Sequence, residues 1–280
     1  MAIEYVVKIA LGYYHSLLLT NLGNVYSCGW NEYGQLGLGD NNNRNVFTKV
    51  DIDNVKDISC GYSHTFILKN DNSVYSCGEN DYGQLGLGDN TSRSIFTKVN
   101  IDNVKEVVCE YCYTFIIKND STVYSCGFNQ YGQLVLGDTT NRNIFTKVDI
   151  DNVKDISCGG YHTFLIKNDG SVWCCGENSD GQLGLGGTNR YTFTKVNIED
   201  IKDIICGYDH TFIFKNDNTI WCTGINNYGQ LGFGDTTKRT TFTSLTAQLE
   251  TLGIEPMPSI TYNYLSSIDV LISLSSFHNL

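Results

Sequence analysis

The sequence predicts an all-β chain, a β-propeller of five four-stranded blades, each about 49 residues long. Three observations predict it. A stretch reading Val-Tyr-Ser-Cys-Gly-x-Asn-x-Tyr-Gly-Gln-Leu-Gly-Leu-Gly-Asp stands at Val25–Asp40 and Val74–Asp89 and, with one change, at Val123–Asp138, with looser copies from Val172 and Ile220. Within one repeat, four short runs of β-formers are separated by turn residues. No apolar pattern at i, i+3, i+4, i+7 is sustained through residues 1–245.

Residues 47–95 show the elements in order. Phe47-Thr48-Lys49-Val50 is a short run rich in β-formers, and Asp51–Asn54 is a turn. Val55–Cys60 alternates apolar and polar until Gly61 breaks it. Thr65–Lys69 is the third run, Asn70–Ser73 a second turn, and Val74–Cys77 the fourth run, closed by Gly78. A Gly-rich loop over 80–89 leads to the next Phe-Thr-Lys-Val. The loop is no phosphate loop, because no Gly-Lys-Ser/Thr follows and no helix is expected to start there.

Recurrence separates scaffold from site. Asn31, Asn80, Asn129, Asn178 and Asn226 hold one position in all five units, and Gln35, Gln84, Gln133, Gln182 and Gln230 another. An amide repeated in every unit is expected to tether the Gly-rich loop through backbone hydrogen bonds. His15, His64, His162 and His210 align, with Tyr113 in the third unit. A catalytic histidine would stand once with its own partners, so four copies read as structural. No serine triad, His-Glu-x-x-His or singular carboxylate pair stands out, so no catalytic residue, metal site or cofactor is expected.

Of 11 cysteines, eight fall at two repeat-equivalent positions: Cys28, Cys77, Cys126, Cys175 and Cys60, Cys109, Cys158, Cys206. Equivalent positions are a whole unit apart, beyond the roughly 4.4–6.8 Å Cα separation a disulfide needs. Cys109 and Cys112 make a lone C-x-x-C, where a zinc site wants a second pair or added histidines. Buried, reduced thiols are expected, and with them a cytoplasmic setting. The N-terminal residues lack a charged segment followed by an apolar one, and no 18-residue apolar run occurs, so neither a secretory signal nor a membrane partner is expected. With 19 Lys plus Arg against 30 Asp plus Glu, the formal charge is −11. Phosphate neutralisation would need clustered cations, so nucleic acid is not an expected partner.

Gly-x-x-His-Thr/Ser before an apolar strand, followed by Cys-Gly-x-Asn-x-Tyr-Gly-Gln-Leu-Gly-Leu-Gly, resembles the regulator of chromosome condensation repeat over about residues 3–245. The resemblance implies a propeller, usually seven-bladed, that works by protein–protein recognition. Members serve as guanine nucleotide exchange factors for Ran-type GTPases, as a plant ultraviolet-B photoreceptor, or as a secreted bacterial β-lactamase inhibitor. This chain has five units and begins inside one, the first Phe-Thr-Lys-Val-type run being absent. The expectation is that strand 242–245 pairs in one blade with strand 4–10 and shuts a ring of five. The alternative is an open arc, or one completed by another chain through its unpaired edges. Residues 246–280 read as a separate tail: 246–252 can form one or two helical turns, 266–274 alternates irregularly but is compatible with a short helix, and the two readings of the tail are a docking or assembly segment and a floppy end.

The two residues between Gly and His are Tyr13-Tyr14, Tyr62-Ser63, Tyr111-Cys112, Gly160-Tyr161 and Tyr208-Asp209. In the resembled family the first of these tends to lie on one propeller face. The photoreceptor has a Trp-Arg pair there; this chain has Tyr with no Arg, so light sensing is not expected. A set of tyrosines on one face suits recognition, having large area, few rotors and a polar tip; packing between blades is the other reading. A second variable position precedes the shared Asn: Trp30, Glu79, Phe128, Glu177 and Ile225. The expected partner surface is therefore Tyr13, Tyr14, Tyr62, Tyr111, Tyr161, Tyr208, Trp30 and Phe128. The expected function is non-catalytic protein binding through one face, with guanine nucleotide exchange on a small GTPase as the alternative, in a monomer or a homo-oligomer built through blade edges or the tail.

Overall fold

The computed structural model describes residues 3–254; the short helix considered for 266–274 lies outside them. Among the described residues, twenty strands form five antiparallel sheets, each of four strands consecutive in the chain. Blade one holds β1 (Val6–Leu11), β2 (His15–Thr20), β3 (Val25–Gly29) and β4 (Arg44–Lys49). Blade two holds β5 (Val55–Cys60), β6 (His64–Lys69), β7 (Val74–Gly78) and β8 (Arg93–Lys98). Blade three holds β9 (Val104–Glu110), β10 (Tyr113–Lys118), β11 (Val123–Gly127) and β12 (Arg142–Lys147). Blade four holds β13 (Val153–Cys158), β14 (His162–Lys167), β15 (Val172–Gly176) and β16 (Arg190–Val196), and blade five β17 (Ile201–Cys206), β18 (His210–Lys215), β19 (Ile220–Gly224) and β20 (Arg239–Ser244). The chain divides into two compact units at Val153/Lys154, the first containing blades one to three.

The blade boundary differs from the expected one. The Phe-Thr-Lys-Val run is the last strand of its sheet, paired through the Gly-rich loop to the strand before it: Ser27 faces Thr48 and Gly29 faces Arg44. The unit therefore runs 6–49 rather than 47–95, and the first sheet lacks no strand. The expected pairing of 242–245 with 4–10 does not occur. β20 pairs with β19, Cys222 facing Thr243, while β1 pairs with β2, Ile9 facing Leu18. The physical reason is that the long loop closes on itself, whereas the turn over 51–54 hands the chain to the next sheet.

Turn chemistry matches the sequence. Asn54 and Asn72 take φ of 55° and 63°, the left-handed conformation that Asn tolerates. A register shift between Val55 and Asp57 places Val55 and Ile58 on the same side of β5, so the alternation is broken by one residue. That side packs on the preceding blade. In the first unit, Val55, Ile58, Cys60 and Ile67 of blade two meet Leu17, Leu19, Val25 and Val50 of blade one in one buried cluster. In the second unit, Ile201, Ile204 and Ile213 meet Phe164, Ile166 and Val172 in the same way. The core thus lies between blades and repeats with them.

The amide tethers form as expected. Asn31 Nδ2 donates to the carbonyls of Asp40 (2.9 Å) and Asn42 (3.0 Å), and its Oδ1 accepts from Leu36 N–H (2.9 Å). Gln35 Oε1 accepts from Tyr33 N–H at 3.1 Å. Asn80, Asn129, Asn178 and Asn226 repeat the first set of bonds. All 11 cysteines are free, nine buried and two half-buried. Burial pushes the Cys60 thiol up to about 12. Helix α1 (Thr246–Thr251) follows blade five and buries none of its residues. Among the described residues no helix is long and apolar enough to cross a membrane.

Candidate functional site

The Gly-x-x-His turn sets the site on top of a fixed layer. Gly12 N–H bonds His15 O at 2.9 Å, so Tyr13 and Tyr14 stand at the tip of the β1–β2 hairpin. The His15 imidazole folds back over Gly12, where an added Cβ would fall 2.0 Å from Cε1, and this is why the motif needs glycine. Each such histidine reaches into the next blade: His15 Nε2 lies 2.9 Å from Thr65 Oγ1, His64 Nε2 3.0 Å from Thr114 Oγ1, and in the second unit His162 Nε2 3.0 Å from Thr211 Oγ1. Thr65 Oγ1 gives its proton to Gln35 O at 2.8 Å, so the His15 ring must donate. The histidines are a buried brace between blades. Burial holds His15 down to about 4 and His64 and His162 to about 3, all neutral at pH 7.

Above this brace, in the first unit, the tyrosines form a continuous row. Tyr13 stacks on Tyr62 (centroids 4.1 Å, interplanar 18°), and Tyr62 meets Tyr111 edge-on at 4.8 Å. Tyr13 touches Tyr14 at 4.1 Å, Tyr14 meets Trp30 at 6.1 Å, and Trp30 meets Tyr33 at 5.3 Å. Backbone bonds fix the spacing: Tyr13 N–H to Tyr62 O (3.1 Å) and Tyr62 N–H to Tyr111 O (3.0 Å). Tyr13 is 52% exposed and Tyr14 62%, while Tyr62, Tyr111 and Trp30 are half-buried. Burial first, then the neighbouring Tyr13, pushes the Tyr62 hydroxyl up to about 12. Phe128 is buried between Tyr82 (4.9 Å) and Tyr131 (6.2 Å).

In the second unit Tyr161 and Tyr208 meet edge-on at 5.6 Å. Gly160 occupies the slot held by Tyr in the other blades. The Tyr208 ring fills the space, 2.9 Å from where a Gly160 Cβ would stand.

The two variable positions are neighbours in space, which their separation in sequence hides. The N–H of Trp30 bonds Tyr14 O (2.8 Å), Glu79 bonds Ser63 O, Phe128 bonds Cys112 O, Glu177 bonds Tyr161 O and Ile225 bonds Asp209 O (each 2.9 Å). Every blade therefore offers one two-residue combination at the same spot. Sequence reasoning also passed over Tyr33, Tyr82 and Tyr131, whose signal was the Tyr two residues after each shared Asn, and the carboxylates among the rings. Glu110 precedes Tyr111 and is pushed up to about 7 by burial. Asp209 is raised to about 6, first by burial and then by Glu177 and Asp180. Glu79 is raised by burial and then by Asp81, against a lowering hydrogen bond from Ser63. Among the described residues no group of three or more His, Cys, Asp or Glu could hold a metal ion.

Four-stranded sheets joined blade to blade by His–Thr–Gln braces, with an aromatic layer above them, define a β-propeller of the repeat type. The regulator of chromosome condensation (RCC1) repeat profile matches residues 23–68, 71–116, 120–166 and 169–214, and a second profile of the same repeat matches 6–35, 55–84, 153–182 and 201–230. The chain belongs to the RCC1 repeat family. It is 53% identical over 45 residues to the human RCC1-like G exchanging factor-like protein, covering 16% of this chain and 10% of that one. It is 56% identical over 34 residues to the human probable E3 ubiquitin-protein ligase HERC4, covering 12% and 3%. The aligned segments thus span at most a tenth of these relatives. In fold it is similar to human WBSCR16 (TM-score 0.76, 25% identity, 87% of this chain and 67% of that one). It is also similar to Prp20p from Saccharomyces cerevisiae, a protein described with its binding to Gsp1p and histones (TM-score 0.78, 19% identity, 86% and 63%).

Proposed function

We propose that this chain is a non-catalytic protein-binding propeller that meets its partner through the tyrosine-bearing ends of its blades. The observation carrying the reading is the row Tyr111–Tyr62–Tyr13–Tyr14–Trp30, anchored by backbone bonds yet offering Tyr13 and Tyr14 more than half exposed. Preorganised aromatic rings lose little entropy on binding, and the carboxylates Glu79, Glu110 and Asp209 beside such rings suit basic side chains. In the same reading Tyr161 and Tyr208 extend the surface in the second unit, and Phe128 supports it from beneath. Residues 1–245 are the binding body and 246–280 an appended segment, a division supported by helix 246–251, none of whose residues is buried. The free, buried thiols support a cytoplasmic setting.

The test is affinity capture with the wild type and with Tyr13, Tyr62, Tyr111 and Tyr208 all changed to Ala, alongside thermal melting of both. The variant is expected to melt cooperatively and to lose the captured protein; a folded variant that captures the same protein equally well refutes the reading.

A second reading, guanine nucleotide exchange on a small GTPase, is favoured by the similarity to the RCC1-like G exchanging factor-like protein. Release of fluorescent GDP from a loaded GTPase at substoichiometric chain would establish it in place of the first.

A further inference from the structure

Blade two breaks the pattern of its neighbours at one spot, and the break leaves negative charge unanswered. In each blade the shared Asn closes its loop, so the residues on either side of it leave from anchored backbone. In blade two these flanking residues are Glu79 and Asp81, where blade one has Trp30 and Glu32 and blade three Phe128 and Gln130. Of the five blades only blade two carries a carboxylate on both sides. The hairpin-tip residue bonded to Glu79 N–H is also small. Ser63 stands where blade one has Tyr14, and Cys112 holds the same slot in blade three. Both are buried, at 1% and 5% exposed, and form a floor of small side chains.

Aromatic corners wall this floor. Trp30 and Tyr33 meet at 87° with centroids 5.3 Å apart, and Tyr82 and Phe128 at 68° with centroids 4.9 Å apart. The two acids join the corners. Glu79 is the largest cause raising the Tyr33 hydroxyl, ahead of burial and Asp81. Burial raises that of Tyr82, followed by Cys112, Glu79 and Asp81. Burial, then the same two carboxylates, raises the Cys112 thiol. Glu79, Tyr33 and Tyr82 are half-buried and Asp81 is exposed, so the cluster opens to solvent. All of its residues belong to the first unit.

The cluster lacks a counter-charge. Among the described residues neither Glu79 nor Asp81 pairs with a lysine or arginine; the ion pairs use other carboxylates. Glu79 is raised by burial and then by Asp81, as expected of an anion drawn from water without a cation beside it. Beneath it the Ser63 hydroxyl is buried and, its loose contact with Glu79 apart, has no hydrogen-bond partner. Residues 255–280 contain no lysine or arginine that could answer the charge.

We infer that an arginine side chain of the partner protein enters this cluster, its guanidinium set against the rings of Tyr33 and Tyr82 and paired with Glu79 and Asp81. A guanidinium fits better than an ammonium. Its flat faces stack on rings, its fork of N–H groups reaches two carboxylates at once, and it sheds its hydration more cheaply. The inference rests on the protein-binding reading above and names the side chain that the partner brings.

The probe is the peptide acetyl-Gly-Gly-Arg-Gly-Gly-amide, titrated into the full chain and read by the indole N–H resonance of Trp30, which Trp30→Phe identifies. The resonance is expected to shift saturably. The citrulline counterpart, alike in shape but neutral, is expected to bind about tenfold or more weakly, and so is the arginine peptide to the chain carrying Glu79→Gln with Asp81→Asn. That variant loses a half-buried charge and is expected to melt no lower than the wild type. If it fails to fold, Asp81→Asn alone, at an exposed residue, is expected to weaken the arginine peptide severalfold. No saturable shift, or equal binding by the citrulline peptide or by the variant, overturns the inference. A lysine peptide that binds as tightly as the arginine one overturns the choice of guanidinium. Affinity capture with the same double variant separates this inference from the reading beneath it. Capture kept by the double variant but lost by the four-tyrosine variant overturns the arginine site alone; capture kept by both overturns both.

Discussion

His64 shows how one residue can be conserved in its role across blades without chemistry of its own. Its ring packs on Gly61, donates to Thr114 and is held neutral by burial. Thr65→Val should break the brace one blade earlier, leaving the His15 N–H buried without a partner and the Gln35 carbonyl with only the weak Cys77 thiol donor at 3.5 Å, at a cost of about 1 to 3 kcal/mol in chemical denaturation. Thr65→Ser, which keeps the hydroxyl, should recover most of that loss. The structural role of these histidines was legible from their fourfold recurrence. Their partner was not, since Thr65 stands 50 residues along the chain and only blade-to-blade packing brings it near. A second departure is local: Val135 replaces the glycine of the other loops yet keeps φ at 66°, a strain of about 1–3 kcal/mol for a β-branched residue.

Each Gly-rich loop behaves as an element because its Asn closes it. Asn80 receives Leu85 N–H and donates to Asp89 O and Thr91 O, while Arg93 and Asp89 pair across the loop mouth at 2.6 Å. Asn80→Ala should loosen the loop over 80–91 and destabilise blade two by about 2 to 4 kcal/mol. Hydrogen exchange should localise the change to that loop and to β7–β8. Asn80→Asp should fare little better, because a carboxylate cannot donate to the two carbonyls. The strands, the turns and these tethers could all be read from the chain. The blade boundary could not, because any four consecutive runs of a periodic sequence make an equally good unit. Only hydrogen-bond pairing shows that the loop joins the third and fourth strands of one sheet.

The stability of the whole molecule should carry the sign of its buried titrating groups. The unfolded histidine near pH 6.5 binds protons that His15, His64 and His162 refuse until about 4 and 3. Stability is therefore full above pH 6.5 and falls steadily as the pH is lowered toward 4. Glu110, raised to about 7, acts in the other sense: its contribution is full below the unfolded value near 4.3 and is lost as the pH climbs through 7. Denaturation of wild type and Glu110→Gln across pH 4–8 should show the variant gaining about 1 to 2 kcal/mol at the alkaline end and nothing at pH 4. At this scale the candidate surface was half legible. Recurrence picked out Tyr13, Tyr62 and Tyr111, but the adjacency of Tyr14 to Trp30 and the acids between the rings arise only when the hairpin tips assemble.

Because every sheet is woven from one uninterrupted run of chain, duplication or loss of a single 49-residue segment would leave all remaining hydrogen-bond ladders intact. Such a change alters how many blades the molecule carries without unravelling any of them. Near-identical segments such as 25–40 and 74–89 are therefore interchangeable parts, and the length of this protein is a quantity that inheritance can alter by whole blades.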